Sequence, residues 1–173
     1  MTVERIQGIL KLAGENDQLV RKTLGLPTSL QKNQDETHTY LLQQILDMLG
    51  CWPSASLVGK EASESAWLLV QHSNNLDFQK SCVLLIQKCK DTASRPHLAY
   101  LMNTIAIKSG RKQLFGTSVI TTKSKTGRYI TKAALLKDPK NVDKRRKKYG
   151  LPPLAEYLKQ AQEVFERYHA NKT

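Results

Sequence analysis

Apolar residues recur three and four positions apart over most of the chain, a spacing that predicts one helix after another. Val3, Ile6, Ile9 and Leu10 mark the first, with Gly14 as its stop. A short helix from about 16 to 24 follows, ended by Gly25 with Pro27 just beyond. Residues 26–36 are polar and read as a loop. Asp35 or Thr37 then caps a helix whose apolar positions are Tyr40, Leu41, Ile45, Met48 and Leu49, closing at Gly50. Cys51 to Gly59 reads as a compact loop that sends Trp52 and Leu57 into the core. Further helices are expected over 61–72, with Ala62, Ala66, Leu69 and Val70 inward, and over 76–88, around Phe78, Cys82, Leu85 and Ile86. Another runs over 94–108, with Pro96 in its first turn. The links are short, the pattern of antiparallel helical neighbours.

The texture changes at Gln113. Leu114 to Thr122 and Arg128 to Thr131 are rich in β-branched residues and flank the polar stretch Lys123–Gly127, which predicts a small hairpin. Asp138 can cap a helix beginning at Pro139 and ending at Gly150. The last helix, over 154–169, aligns Leu158, Ala161, Phe165 and Tyr168 on one face, with Tyr157 and Val164 beside it. The expected fold is therefore mainly α: a single helical domain over residues 1–173, with seven to eight helices and a small β-hairpin near residues 113–131.

Length and composition agree with one domain. No apolar run approaches the roughly 20 residues of a membrane helix, so no membrane partner is expected. Met1 to Ala13 mixes Glu4, Arg5 and Lys11 among its apolar positions, as an amphipathic helix does and a signal peptide does not. A cytoplasmic location follows, with a secreted effector or toxin as the alternative. Three cysteines cannot pair evenly; all read as apolar-face residues, buried free thiols in a reducing compartment. The net charge of +12 is local: residues 121–150 hold eleven Lys or Arg against two Asp. Such a patch is either a footprint for phosphates or acidic partners, or simply a solvated surface.

Much familiar chemistry is missing. The four histidines lie in separate segments without a partner at zinc-ligand spacing, so no metal is expected. There is no complete phosphate loop, no G-x-S-x-G elbow, and no motif calling for a cofactor. Three constellations remain. Gln71-His72 closes an otherwise apolar helix, and His72 follows Leu68 and Leu69 at helical spacing, so its ring faces inward as a general acid or base, or as a hydrogen-bonded core residue. Gln113, Gly116 and Thr117 sit where the hairpin begins; glycine in a strand marks a close backbone approach, and even spacing puts Gln113 and Thr117 on one face. Val142 and Tyr149 define the buried side of a helix that draws Arg145 or Arg146 inward. An inward guanidinium needs a carboxylate, backbone carbonyls or an anionic ligand.

The polar signatures resemble those of a bacterial family, domain of unknown function 6624. They are Asp35 with Thr39 and Leu42; Trp52-Pro53-Ser54; Leu57-Val58-Gly59; Ala66-Trp67-Leu68 through Val70-Gln71-His72; Phe78-Gln79; and Tyr100-Leu101. They continue with Gly110-Arg111 and Gln113; Phe115-Gly116-Thr117; and Asn141 to Arg146 with Gly150-Leu151, Pro153-Leu154 and Tyr157. The resemblance covers about 33–158 and implies a shared polar pocket without assigning an activity. The chain departs from it at Asn103-Thr104, Phe115, Ser118 and His38, where the family pattern has Asp-Arg, Tyr, Gln and Asn. Those changes mean either an altered substrate or a lapsed activity.

The functional expectation is a pocket for a small anionic ligand, a nucleotide or another phosphate compound. Gln71, Gln113, Gly116, Thr117 and Arg145 or Arg146 would line it, with His72 as the catalytic group of a hydrolase or transferase. The alternative is a non-catalytic protein that meets nucleic acid or an acidic protein through the 121–150 patch.

Overall fold

The computed structural model describes residues 1–24, 28–89, 91–124 and 127–170, so Gly25, Pro27 and Lys125 lie outside the described residues. The chain is mainly helical, with eight α-helices and one two-stranded antiparallel sheet among the described residues. It divides into two compact units, Met1–Leu101 and Met102–Thr173.

The first unit is built on α4 (Lys60–His72), which packs against α1 (Val3–Leu24), α2 (Ser29–Leu49), α3 (Ala55–Val58) and α5 (Leu76–Lys88). Gly14 does not stop the first helix. It is where α1 lies closest to α4: a Cβ there would meet Ser65 Oγ at 2.4 Å and its Cβ at 2.7 Å. The expected break and the short helix after it are therefore one continuous helix, with Gly14 serving packing.

The expected loop over 26–36 is also corrected. Thr28 and Gln31 form a reciprocal capping box: the Thr28 hydroxyl accepts from Gln31 N at 3.2 Å, and Thr28 N donates to Gln31 Oε1 at 3.0 Å. This Thr-x-x-Gln signature starts α2 a full turn or more before Asp35. Asp35 is then no cap but a buried interior residue. The inward face of α2 carries Gln31, Asp35, His38, Leu42, Ile45 and Leu46, whereas Tyr40 and Met48, expected inside, are exposed. Gly50, at φ 64°, ends the helix as expected.

Trp52 is buried, and Leu57 is half-buried within the short α3. Helices α4 and α5 follow the apolar periodicity, with Ala62, Ala66, Leu69, Val70, Phe78, Cys82 and Ile86 buried. Asn75 caps α5 by accepting from Phe78 N at 3.0 Å. Of the three expected buried thiols only Cys82 is buried; Cys51 is exposed and Cys89 half-buried, both lying just outside helices. A 3-10 turn at Thr92–Ser94 leads into α6 (Arg95–Lys108), which runs across the division between units.

In the second unit β1 (Val119–Lys123) pairs with β2 (Tyr129–Ala133), and both pack on α8 (Leu154–Ala170). Thr121 and Thr131 face each other with their hydroxyls 2.9 Å apart, and Tyr129 meets Phe165 edge-on at 4.9 Å. Val164 and Tyr168, expected on the packed face of α8, are exposed. The first strand is shorter than its β-branched run: Leu114 to Ser118 is not strand, because Gly116 turns at φ 70°. A Cβ at Gly116 would also approach Leu154 Cδ1 to 2.7 Å. Beyond the hairpin a 3-10 turn, Pro139–Asn141, opens α7 (Val142–Lys148), and Gly150 at φ 70° follows it. Asp138 makes no side-chain cap there.

Candidate functional site

The seven residues singled out in the sequence fall into two sets. Gln71 and His72 belong to the first unit, and Gln113, Gly116, Thr117, Arg145 and Arg146 to the second. The second set is brought together around the turn that precedes β1. Asn103 Nδ2 donates to Gln113 Oε1 and to Thr117 Oγ1, each at 2.8 Å, while Asn103 Oδ1 accepts from Leu114 N and Phe115 N at 3.0 and 3.1 Å. Gln113, fully buried, also accepts from Ser118 N and donates to the carbonyls of Ser118 and Ala134 at 2.8 and 2.9 Å. Gln113 and Thr117 thus share one partner across a tight turn, where an even strand spacing had been expected.

Both arginines reach the same turn. Arg145 donates from Nε to Leu114 O at 2.9 Å and from Nη1 to Asp138 Oδ2 at 3.0 Å. Arg146, with 0% of its surface exposed, donates to Pro152 O at 2.6 Å and to Phe115 O, and lies over the Tyr157 ring at 4.9 Å. A turn that lacks a strand partner leaves carbonyls needing donors, and the guanidiniums supply them. These groups brace the backbone.

A different arrangement surrounds His72. Asp17 projects from α1 with its side chain 0% exposed. Arg21, one turn on, binds it through Nε at 3.1 Å and Nη2 at 3.0 Å; Gln18 Nε2 adds a bond at 2.9 Å; and His72 Nδ1, from α4, lies 2.9 Å from Oδ2. Arg21 Nη2 also binds Asp35 of α2. Thr39, one turn beyond Asp35, donates to Asp35 O at 2.6 Å and is bonded to the buried Ser73 hydroxyl at 2.8 Å. Three helices are thus joined through one carboxylate and one guanidinium.

Burial alone would raise the Asp17 pKa, but the His72 hydrogen bond, the Arg21 hydrogen bonds and their charges outweigh it and hold the carboxyl at about 2. Asp35 goes the other way: burial raises its pKa against the opposing Arg21 charge. His38, buried one turn from Asp35, is held neutral because burial lowers its pKa, and its Nδ1 has no partner among the described residues. His97 is lowered by burial too, stacked on Trp67 at 4.5 Å. His169 packs against Tyr129 and Phe165.

An ionised Asp17 only accepts, so the His72 Nδ1 at its side is the N–H and donates. Neutral His72 therefore carries its lone pair on Nε2, which has no partner among the described residues and is not buried; the side chain is 25% exposed. A groove of about 630 Å³ runs between α1 and α4, lined in part by Gly14, Gln18, Lys22, Ser65 and Leu68. It stops at Leu68, one helical turn before His72. Among the described residues no group of three His, Cys, Asp or Glu side chains could hold a metal ion, and no helix is long and apolar enough to cross a membrane.

Sequence reasoning found His72 but missed Asp17, Arg21 and the interior role of Asp35. The Asp17–Arg21 spacing, inside the short helix expected over 16–24, was a signal for an i,i+4 pair on one helix face, but such a pair reads equally as a solvated surface pair until α4 packs against it.

The chain belongs to a family of unknown function, DUF6624, whose model matches residues 16–168. No curated protein and no solved structure matches it. The match begins one residue before Asp17 and takes in Arg21, which the shorter span of 33–158 leaves out.

Two predictions concern stability. Arg146→Met should cost about 3 kcal/mol, because the carbonyls of Phe115 and Pro152 lose their donor in a buried place, while Arg145→Ala should cost about 1 kcal/mol. Urea unfolding measures both, and equal small effects would mean that the guanidiniums do not brace the turn.

The second is pH dependence. Asp17 is lowered from 3.8 to about 2, so its stabilisation is complete above the unfolded value and lost as pH falls from about 4 towards 2, worth about 2 kcal/mol. His38 and His97, lowered from 6.5, favour the neutral form, so their contribution is complete above that value and declines on acidification below it. Denaturant unfolding across pH should show two falling stages, partly offset by Asp35, whose raised pKa favours the folded state as pH falls, and Asp17→Asn should remove chiefly the more acidic one.

Proposed function

We propose that the protein is a hydrolase or group-transfer enzyme acting on a small polar substrate, with His72 as the group that moves the proton. The orientation of its imidazole by the buried Asp17 carboxylate carries the reading. Nε2 takes a proton from water or a substrate hydroxyl, since no hydroxyl or thiol among the described residues is bonded to it. The nucleophile so formed attacks the electrophilic centre. Asp17 stabilises the imidazolium, which then returns the proton to the leaving group. Arg21 Nη1 has no acceptor among the described residues and is not buried, so it can donate to an oxygen on which negative charge develops.

An anionic ligand is not what this site suits best. Asp17 and Asp35 flank the only arginine in the cluster, so it carries no surplus positive charge while His72 is neutral. Arg145 and Arg146, on which the anionic expectation rested, donate to the chain's own oxygens. An ester or amide without formal charge fits better.

Hydrolysis of p-nitrophenyl acetate is the probe. His72→Gln and Asp17→Asn should each slow it by about 10²-fold or more while unfolding stays cooperative. The Asp17 variant separates an oriented base from a surface imidazole, because it keeps the ring and removes its partner. Wild-type rates in a folded His72→Gln protein would refute the assignment.

A second reading is supported by the charge of residues 121–150. Lys123, Arg128, Lys132, Lys137, Lys140, Lys144, Lys147 and Lys148 are all exposed. The two acids of the segment are engaged locally: Asp138 accepts from Arg145, and Asp143 Oδ1 accepts from Leu154 N at 2.7 Å. The surface cations are left without local neutralisation, the condition for holding a polyanion such as nucleic acid. On this reading, affinity for duplex DNA falls steeply with salt, and Lys144→Glu with Lys148→Glu weakens it at every sequence; binding that ignores salt would exclude it.

A further inference from the structure

We propose that Cys51 and Cys89 form a thiol pair that a hydroperoxide converts into a disulfide, leaving Cys82 reduced. Both cysteines line one cavity of about 300 Å³, with Trp52, Ser54, Leu57 and Leu85 among its other walls. The segments that carry the two cysteines are tied together close by, where Ala55 N donates to Asp91 Oδ2 at 3.0 Å, and a disulfide needs the two Cα atoms within ~7 Å. The site is independent of His72 and of the reading given above.

The backbone is suited to closing that distance. Cys51 follows Gly50, the left-handed residue that ends α2, and Cys89 is the extended residue immediately after α5. Neither thiol lies in a helix interior; Cys89 N closes the last turn of α5 on Ile86 O at 3.1 Å, so moving one thiol towards the other disturbs at most that terminal bond. Gly50 also lines the cavity.

Access separates the three thiols. Cys51 is exposed and meets oxidant first; Cys89, on the wall of the same cavity, is half-buried; Cys82 is 0% exposed. Burial pushes the Cys82 thiol up to about 12, which keeps it protonated and unreactive. The chemistry runs in two steps. The Cys51 sulfur attacks the hydroperoxide, the O–O bond breaks, and a sulfenic acid forms with release of an alcohol, or of water from hydrogen peroxide. The Cys89 sulfur then attacks the Cys51 sulfur, the S–O bond breaks, and water leaves with the thiol proton. Two thiols are oxidised and one peroxide is reduced. The product joins the end of α2 to the end of α5.

The test uses the reduced full-length chain, dilute, with hydrogen peroxide. Expected are a monomer lighter by two hydrogens, a peptide map without reductant that joins the Cys51 and Cys89 peptides, and a Cys82 alkylated only after unfolding. Oxidation should raise the melting temperature of the wild type and leave that of Cys89→Ser unchanged. In Cys89→Ser the oxidised Cys51 should persist as a sulfenic acid that dimedone traps. A cross-link containing Cys82, a covalent dimer through Cys51, or a wild-type Cys51 that dimedone traps without any cross-link would each overturn the proposal.

Discussion

A carboxylate removed from water is stable as an anion only if donors replace the hydration it lost, and Asp17 has its replacements on two helices. Arg21 and Gln18 come from its own helix and His72 from α4. Arg21 extends the network to Asp35 on α2. Any shift of α4 along α1 would strand a buried charge, so the network sets the helix register as well as joining the helices. It also decides a chemical question. With Asp17 ionised, the His72 proton sits on Nδ1 and the basic nitrogen points elsewhere. Fold and proton chemistry thus depend on the same few bonds.

The second unit solves a different problem by similar means. Its turn from Leu114 to Thr117 has no strand beside it, so its amides and carbonyls need side-chain partners. Asn103 serves the amides of Leu114 and Phe115, and the two arginines serve the carbonyls of those residues. Polar residues resembling the wall of a ligand pocket are the frame of a turn. The residues of α7 that look inward are consumed in this way, and the lysines around them are left to solvent.

How much of this was legible follows from where the signal lies. Helices α4 and α5 follow from apolar residues at helical spacing. The hairpin follows from two β-branched runs, although Gly116 shortens the first. Glycine misled at position 14, because its use there depends on Ser65, fifty-one positions on and on another helix. The face of α2 was misread because its inward positions include Gln31, Asp35 and His38, polar residues that an apolar count passes over.

By itself, then, the sequence determined a mainly helical chain with a small hairpin, the ends of several helices, the local excess of positive charge, and the singling out of His72. These are properties of neighbouring residues and of composition. Only the tertiary structure decided that Asp17 is the partner of His72, that Arg145 and Arg146 hold backbone oxygens, and that Cys51 and Cys89 border one cavity. Each depends on which groups lose water together and on which donor reaches which acceptor. Residues far apart in the chain carry no mark of that meeting until the helices pack.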